Sequence, residues 1–68
     1  MATYYVNDNP QPTGEHEVHQ EDCFWLNLAT SSTSLGDHSS CHTAVRAARS
    51  YYSDVDGCAH CCEACHTR

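Results

Sequence analysis

The chain has no Lys and only three Arg in 68 residues, against nine Asp and Glu, which leaves a formal net charge of -6. Binding to nucleic acid by counterion release has few cations to draw on, so nucleic acid is disfavoured as a partner. No apolar run approaches the length of about 20 residues that a bilayer span requires, so no membrane-spanning helix is expected. The start, Met1-Ala2-Thr3-Tyr4-Tyr5-Val6-Asn7-Asp8, lacks the basic segment and apolar run of an export signal. A reducing, cytoplasmic compartment is therefore expected, in which clustered cysteines bind metal or do redox work more often than they form bridges.

Against these absences stand six Cys and six His. A chain of 68 residues is read as one domain, residues 1–68, and one that buries a small share of its surface. Such domains recover stability from a disulfide, a structural metal or a partner.

Thr3-Tyr4-Tyr5-Val6 is rich in β-branched and aromatic residues and runs into the turn formers Asn7 to Gly14, so strand then loop is expected. Glu15-His16-Glu17-Val18-His19 alternates like a returning strand, with His16 and Val18 on one face and Glu17 and His19 on the other. Cys23-Phe24-Trp25-Leu26-Asn27-Leu28 is the most hydrophobic segment and is expected to supply core side chains. Residues 29–34 read as an exposed loop before a short strand at Ser34-Leu35-Gly36. A helix is predicted from about Ser40 to Tyr52, capped by Ser39 or Asp37, with Cys41, Ala44, Val45, Ala48 and Tyr52 forming its apolar stripe. Arg46 and Arg49 fall on other faces and read as solvated surface, and Cys41 as a small buried hydrophobe. Asp54-Val55-Asp56-Gly57 reads as a turn. The fold class expected is small α+β, an N-terminal β-hairpin and one helix around a zinc site.

Zinc takes four N or S ligands in a tetrahedron, usually as two closely spaced pairs. His19-x3-Cys23 ends the hairpin, and Cys58-x2-Cys61 follows Gly57, whose missing side chain lets the backbone approach closely. His19, Cys23, Cys58 and Cys61 are the favoured ligands of one Zn2+. Cys62-x2-Cys65 and Cys61-x3-Cys65 offer competing pairs, so Cys62 and Cys65, and with them His66, stand as alternatives. His16-Glu17-Val18-His19 is one residue short of the H-E-x-x-H metalloprotease pattern and lies on a strand, where its two His diverge.

The order His19-x3-Cys23, a hydrophobic stretch, Ser39 ahead of an Ala44 and Ala48 helix, then Cys58-x2-Cys61 resembles the zinc finger of Ada-type DNA repair proteins and the related modules that follow some nuclease domains. The resemblance covers about residues 16–61 and implies a hairpin and helix around one zinc. In that family the first ligand is a Cys that accepts a methyl group from DNA. His19 stands there and cannot do thiolate chemistry, so methyl transfer is not expected. Tyr4-Tyr5-Val6-Asn7, His16-Glu17-Val18-His19, Gly57-Cys58 and Cys65-His66-Thr67 also resemble a group of short, uncharacterised bacterial proteins.

The function expected is a non-catalytic zinc-stabilised module that binds another protein, with Tyr4, Tyr5, Trp25, Tyr51 and Tyr52 as contact aromatics. The alternatives are a thiol redox protein using a C-x2-C pair, metal storage or sensing, and an acidic mimic of nucleic acid. The sequence leaves the oligomeric state open.

Overall fold

A computed structural model gives the fold of residues 1–67. Four strands form one sheet: β1 (Ala2–Asn7), β2 (His16–Gln20), β3 (Ser32–His38) and β4 (Val55–Gly57), in the order β3-β1-β2-β4. The expected hairpin is present, with β1 antiparallel to β2 in the register Tyr4↔Gln20, Tyr5↔His19, Val6↔Val18. Its turn includes Gly14 at φ 101°, a conformation costly for any residue with a Cβ. The expected architecture, small α+β, is the one found.

β3 is longer than expected. It begins at Ser32 within the stretch read as loop and runs antiparallel to β1 from Asn7↔Ser32 to Ala2↔His38. The register shifts between Tyr4 and Tyr5, whose partners are Gly36 and Ser34, so Leu35 is the extra residue of a bulge. Gly36, at φ 82°, supplies the positive φ there. The polar composition of Ser31 to Ser34 misleads because β3 is an edge strand, exposed along most of its length.

Residues 55–57 also pair, where a turn was expected. β4 lies parallel to β2, matching His16↔Val55, Glu17↔Asp56 and Val18↔Gly57. Hydrogen bonds from His16 N–H to Asp54 C=O and from Cys58 N–H to Val18 C=O extend the ladder at both ends. A strand of three residues carries no periodicity from which to read it, and its partner lies far away in the chain.

α1 (Cys41–Ala48) lies across the sheet and touches all four strands. Cys41, Ala44, Val45 and Ala48 form its buried stripe, as the spacing predicts. The helix begins after Ser40 rather than Ser39 or Asp37 and ends before Tyr52. From Arg49 to Tyr51 its hydrogen bonds tighten to the i−3 carbonyl, and Tyr52 instead stacks on His16 with ring centroids 3.7 Å apart. The Tyr52 hydroxyl donates to Asp8 at 2.8 Å.

The core is small. Tyr4, Val6, Val18, Ala44, Val45 and Ala48 supply its ordinary hydrophobic part, and Cys23, Cys41, Cys58 and Cys62 complete it. Phe24–Leu28 forms a 3-10 turn that contributes far less than its composition predicts. Phe24, Trp25 and Leu28 are 65%, 44% and 60% exposed, and Leu26 alone packs against the core. At i→i+3 pitch the segment presents its side chains around the whole axis, so a five-residue piece cannot turn them all inward. Among the described residues no helix is long and apolar enough to cross a membrane.

Candidate metal centre

β2 ends at Gln20, and the backbone then turns through Glu21 and Asp22, with Cys23 N–H bonded to Gln20 C=O at 3.0 Å. That turn sets Cys23 below His19. On the other side of the sheet edge, β4 delivers Gly57 and Cys58 beside Val18. The chain then folds back, Cys62 N–H donating to Cys58 C=O and Cys65 N–H to Cys62 C=O, each at 2.9 Å. A Cβ on Gly57 would come within 2.7 Å of Cys65 Cβ and 2.8 Å of Cys62 C=O, so the return path depends on glycine at this position.

This path gathers the ligand atoms of His19, Cys23, Cys58 and Cys61 within 4.8 Å of one another, the same four residues that the spacing singles out. Cys23 Sγ stands 4.0 Å from Cys58 Sγ, and Cys61 Sγ 3.9 Å from His19 Nδ1. Donors held 2.0–2.3 Å from a tetrahedral zinc lie about 3.5–3.8 Å apart, so these separations are a few tenths of an ångström too wide. The donor set fits a metal ion. It is also closed, since four protein ligands leave no position for a substrate or water.

Backbone amides point at the sulfurs as a metal knuckle requires. His60 N–H donates to Cys58 Sγ at 3.4 Å and Gln20 N–H to Cys61 Sγ at 3.3 Å, while Gln20 Nε2 holds Cys61 C=O at 3.3 Å. Burial keeps the His19 imidazole below its ordinary pKa and so neutral, the form that binds metal. Burial pushes the Cys61 and Cys62 thiols up, so neither ionises readily without a cation beside it. The second ring nitrogen of His19, Nε2, lies 3.6 Å from Glu17 Oε1. Strand alternation places the pair on one face, as read from the sequence.

The alternative ligands divide. Cys62 is buried with its Sγ 3.8 Å from Cys61 Sγ, but it stands outside the group of four donors that lie within 4.8 Å of one another. Cys65 is instead disulfide-bonded to Cys41, which corrects both the reading of Cys41 as a simple buried hydrophobe and the use of Cys65 in the main site. His66 turns away, its Nδ1 3.0 Å from Gly57 C=O and 3.2 Å from Asp56 Oδ2. Asp56 in turn accepts from Thr67 N–H and Thr67 Oγ1, which fastens the tail to β4.

The aromatics also part from expectation. Tyr4 is 4% exposed and Tyr52 half-buried, so both are structural, whereas Trp25 and Tyr51 remain outside. Trp25 stacks on His60 of the knuckle at 5.0 Å, and Phe24 meets Trp25 edge-on at 5.5 Å. No signal in the sequence joins Trp25 to His60, since the contact arises from the same fold-back that gathers the thiols. Set against family models, curated proteins and solved structures, the chain matches none.

Proposed function

We propose that this chain is a zinc-stabilised interaction module, in which His19, Cys23, Cys58 and Cys61 hold one Zn2+ and the surface beside the site binds another protein. The observation that carries this reading is the convergence of four buried or half-buried donors, from distant parts of the sequence, within 4.8 Å of one another. With so small a hydrophobic core, the binding energy of the ion acts as folding energy. Zinc suits the mixed Cys and His donors better than calcium or magnesium, which prefer oxygen.

The recognition role rests on Phe24, Trp25 and Leu28, apolar side chains left exposed next to a ligand, with acidic Glu21 and Asp22 on the preceding turn. That combination suits a protein partner with an apolar groove and a basic rim. Thiol redox chemistry at Cys58-x2-Cys61 is disfavoured, because burial raises the Cys61 thiol and a raised thiol is a poor nucleophile.

The test is elemental analysis with thiol counting on natively purified protein, followed by circular dichroism before and after chelation. One zinc per chain and loss of structure on its removal support the reading. A metal-free chain that keeps its fold overturns it.

A further inference from the structure

Away from the four-donor cluster, His42 and Arg46 of α1 and Arg49, which caps it, fall at i, i+4 and i+7 and are exposed. These three residues, with Val45 and Cys65, line a cleft of about 300 Å³. Two of the chain's three Arg thus border one cleft on a molecule of net charge -6. Among the described residues, neither Arg46 nor Arg49 is ion-paired with a carboxylate. The cleft wall carries one end of the Cys41–Cys65 disulfide, and the ligand atoms of Cys41, His42 and Cys65 lie within 4.8 Å of one another.

The two sulfurs are unequal. Cys65 is partly buried but lines the cleft, while Cys41, the first residue of α1, is buried and does not. A thiolate at a helix N-terminus is stabilised by free amides and the helix dipole, which makes Cys41 the better leaving group. The cleft opens on the Cys65 side of the bond, and its basic side chains favour a thiolate that carries carboxylates.

We propose that Cys41–Cys65 is an exchangeable disulfide and that the cleft beside it admits a small anionic thiol. The thiolate attacks Cys65 Sγ, forming a new S–S bond there as the Cys65–Cys41 bond breaks. The electron pair passes to Cys41 Sγ, which leaves as a thiolate and takes a proton from water. The incoming sulfur is oxidised to the disulfide level and Cys41 is reduced. A second thiol of the same class attacks the mixed disulfide, freeing Cys65 and carrying away the oxidised thiol dimer. The same three donors would make a cation site if both sulfurs were reduced, but Arg46 and Arg49 beside them oppose a cation.

The proposal does not rest on the zinc reading, and the two fail separately, because zinc content and adduct formation are measured on the same sample. Oxidised full-length protein is mixed at equal thiolate concentration with glutathione, which is anionic, 2-mercaptoethanol, which is neutral, and cysteamine, which is cationic. Adducts are followed by intact mass and placed by peptide mapping. The expected result is a mixed disulfide at Cys65, formed about tenfold faster with glutathione than with cysteamine, a preference that high salt removes. The double variant Arg46→Gln, Arg49→Gln abolishes the preference but leaves the 2-mercaptoethanol rate and zinc content unchanged. Equal rates for the three thiols, adducts at Cys41 or the knuckle, a Cys41/Cys65 pair that stays reduced in air, or a second zinc bound by the reduced pair would each overturn it.

Discussion

Glu17 and His19, two positions apart on β2, bring a carboxylate oxygen to 3.6 Å from the imidazole Nε2, while the Nδ1 of the same ring faces Cys61 Sγ. The carboxylate favours the tautomer with its proton on Nε2 and leaves the Nδ1 lone pair for a metal. Partners of this kind raise ligand basicity, and their loss typically costs 10–100-fold in affinity. Glu17→Gln should weaken zinc binding by about that factor. Competition with a chromophoric chelator measures it, and an unchanged affinity would remove Glu17 from the site.

Cys61 and Cys62 are neighbours in both sequence and space, their sulfurs 3.8 Å apart, but only Cys61 belongs to the four-donor cluster. Cobalt substitution separates them. Cys61→Ser should weaken the thiolate charge-transfer bands and shift the visible spectrum, while Cys62→Ser leaves both near wild type. The reverse pattern would exchange the two residues.

Gly57 has no room for a methyl group, since a Cβ would press on Cys65 and on the Cys62 carbonyl. Gly57→Ala should cost about 1–3 kcal/mol as the tail is forced off the sheet. Thermal unfolding of the zinc-loaded protein checks this, and because Cys58 follows directly, zinc affinity should fall with it.

Asp8 joins three separate segments, accepting hydrogen bonds from Ser31 Oγ at 2.7 Å, Thr33 Oγ1 at 2.8 Å and Tyr52 OH at 2.8 Å. These donors hold its carboxyl below the usual range. The unfolded chain therefore binds this proton more readily than the folded one. The stability Asp8 contributes is complete above the unfolded pKa of about 3.9 and is lost as pH falls through the lower folded value. Asp8→Asn should cost about 1 kcal/mol at neutral pH, discounted for solvent exposure, and flatten the acid limb of the unfolding curve. Urea unfolding between neutral and acid pH tests both effects.

What was legible in the sequence was local. The alternation around Val18 and the stripe from Cys41 to Ala48 each lie within a few residues and are found as read, and the close pairs His19-x3-Cys23 and Cys58-x2-Cys61 come together in one cluster that could hold a metal ion. The pairings that depend on distant partners were not legible. Val55-Asp56-Gly57 becomes a strand because β2 offers a free edge, and Ser32 and Thr33 join a sheet because β1 does. The pairing of Cys41 with Cys65 was hidden by arithmetic, because once one His and three Cys are assigned to metal, Cys41, Cys62 and Cys65 remain and spacing does not choose between them. The aromatic turn was misread because hydrophobicity reports what a segment would gain by burial, not whether its geometry allows it.

The parallel pairing of β4 with β2 sets an order of events during synthesis. Cys23 and Cys58 are 35 positions apart, and the two halves of the site meet only across that pairing. Translation must pass Cys61 before all four donors of the candidate site exist, so His19 and Cys23 emerge well ahead of their partners. Any ion held there would be enclosed only once β4 has paired with β2, and a chain interrupted before residue 55 would lack both Cys58 and the strand that covers the β2 edge.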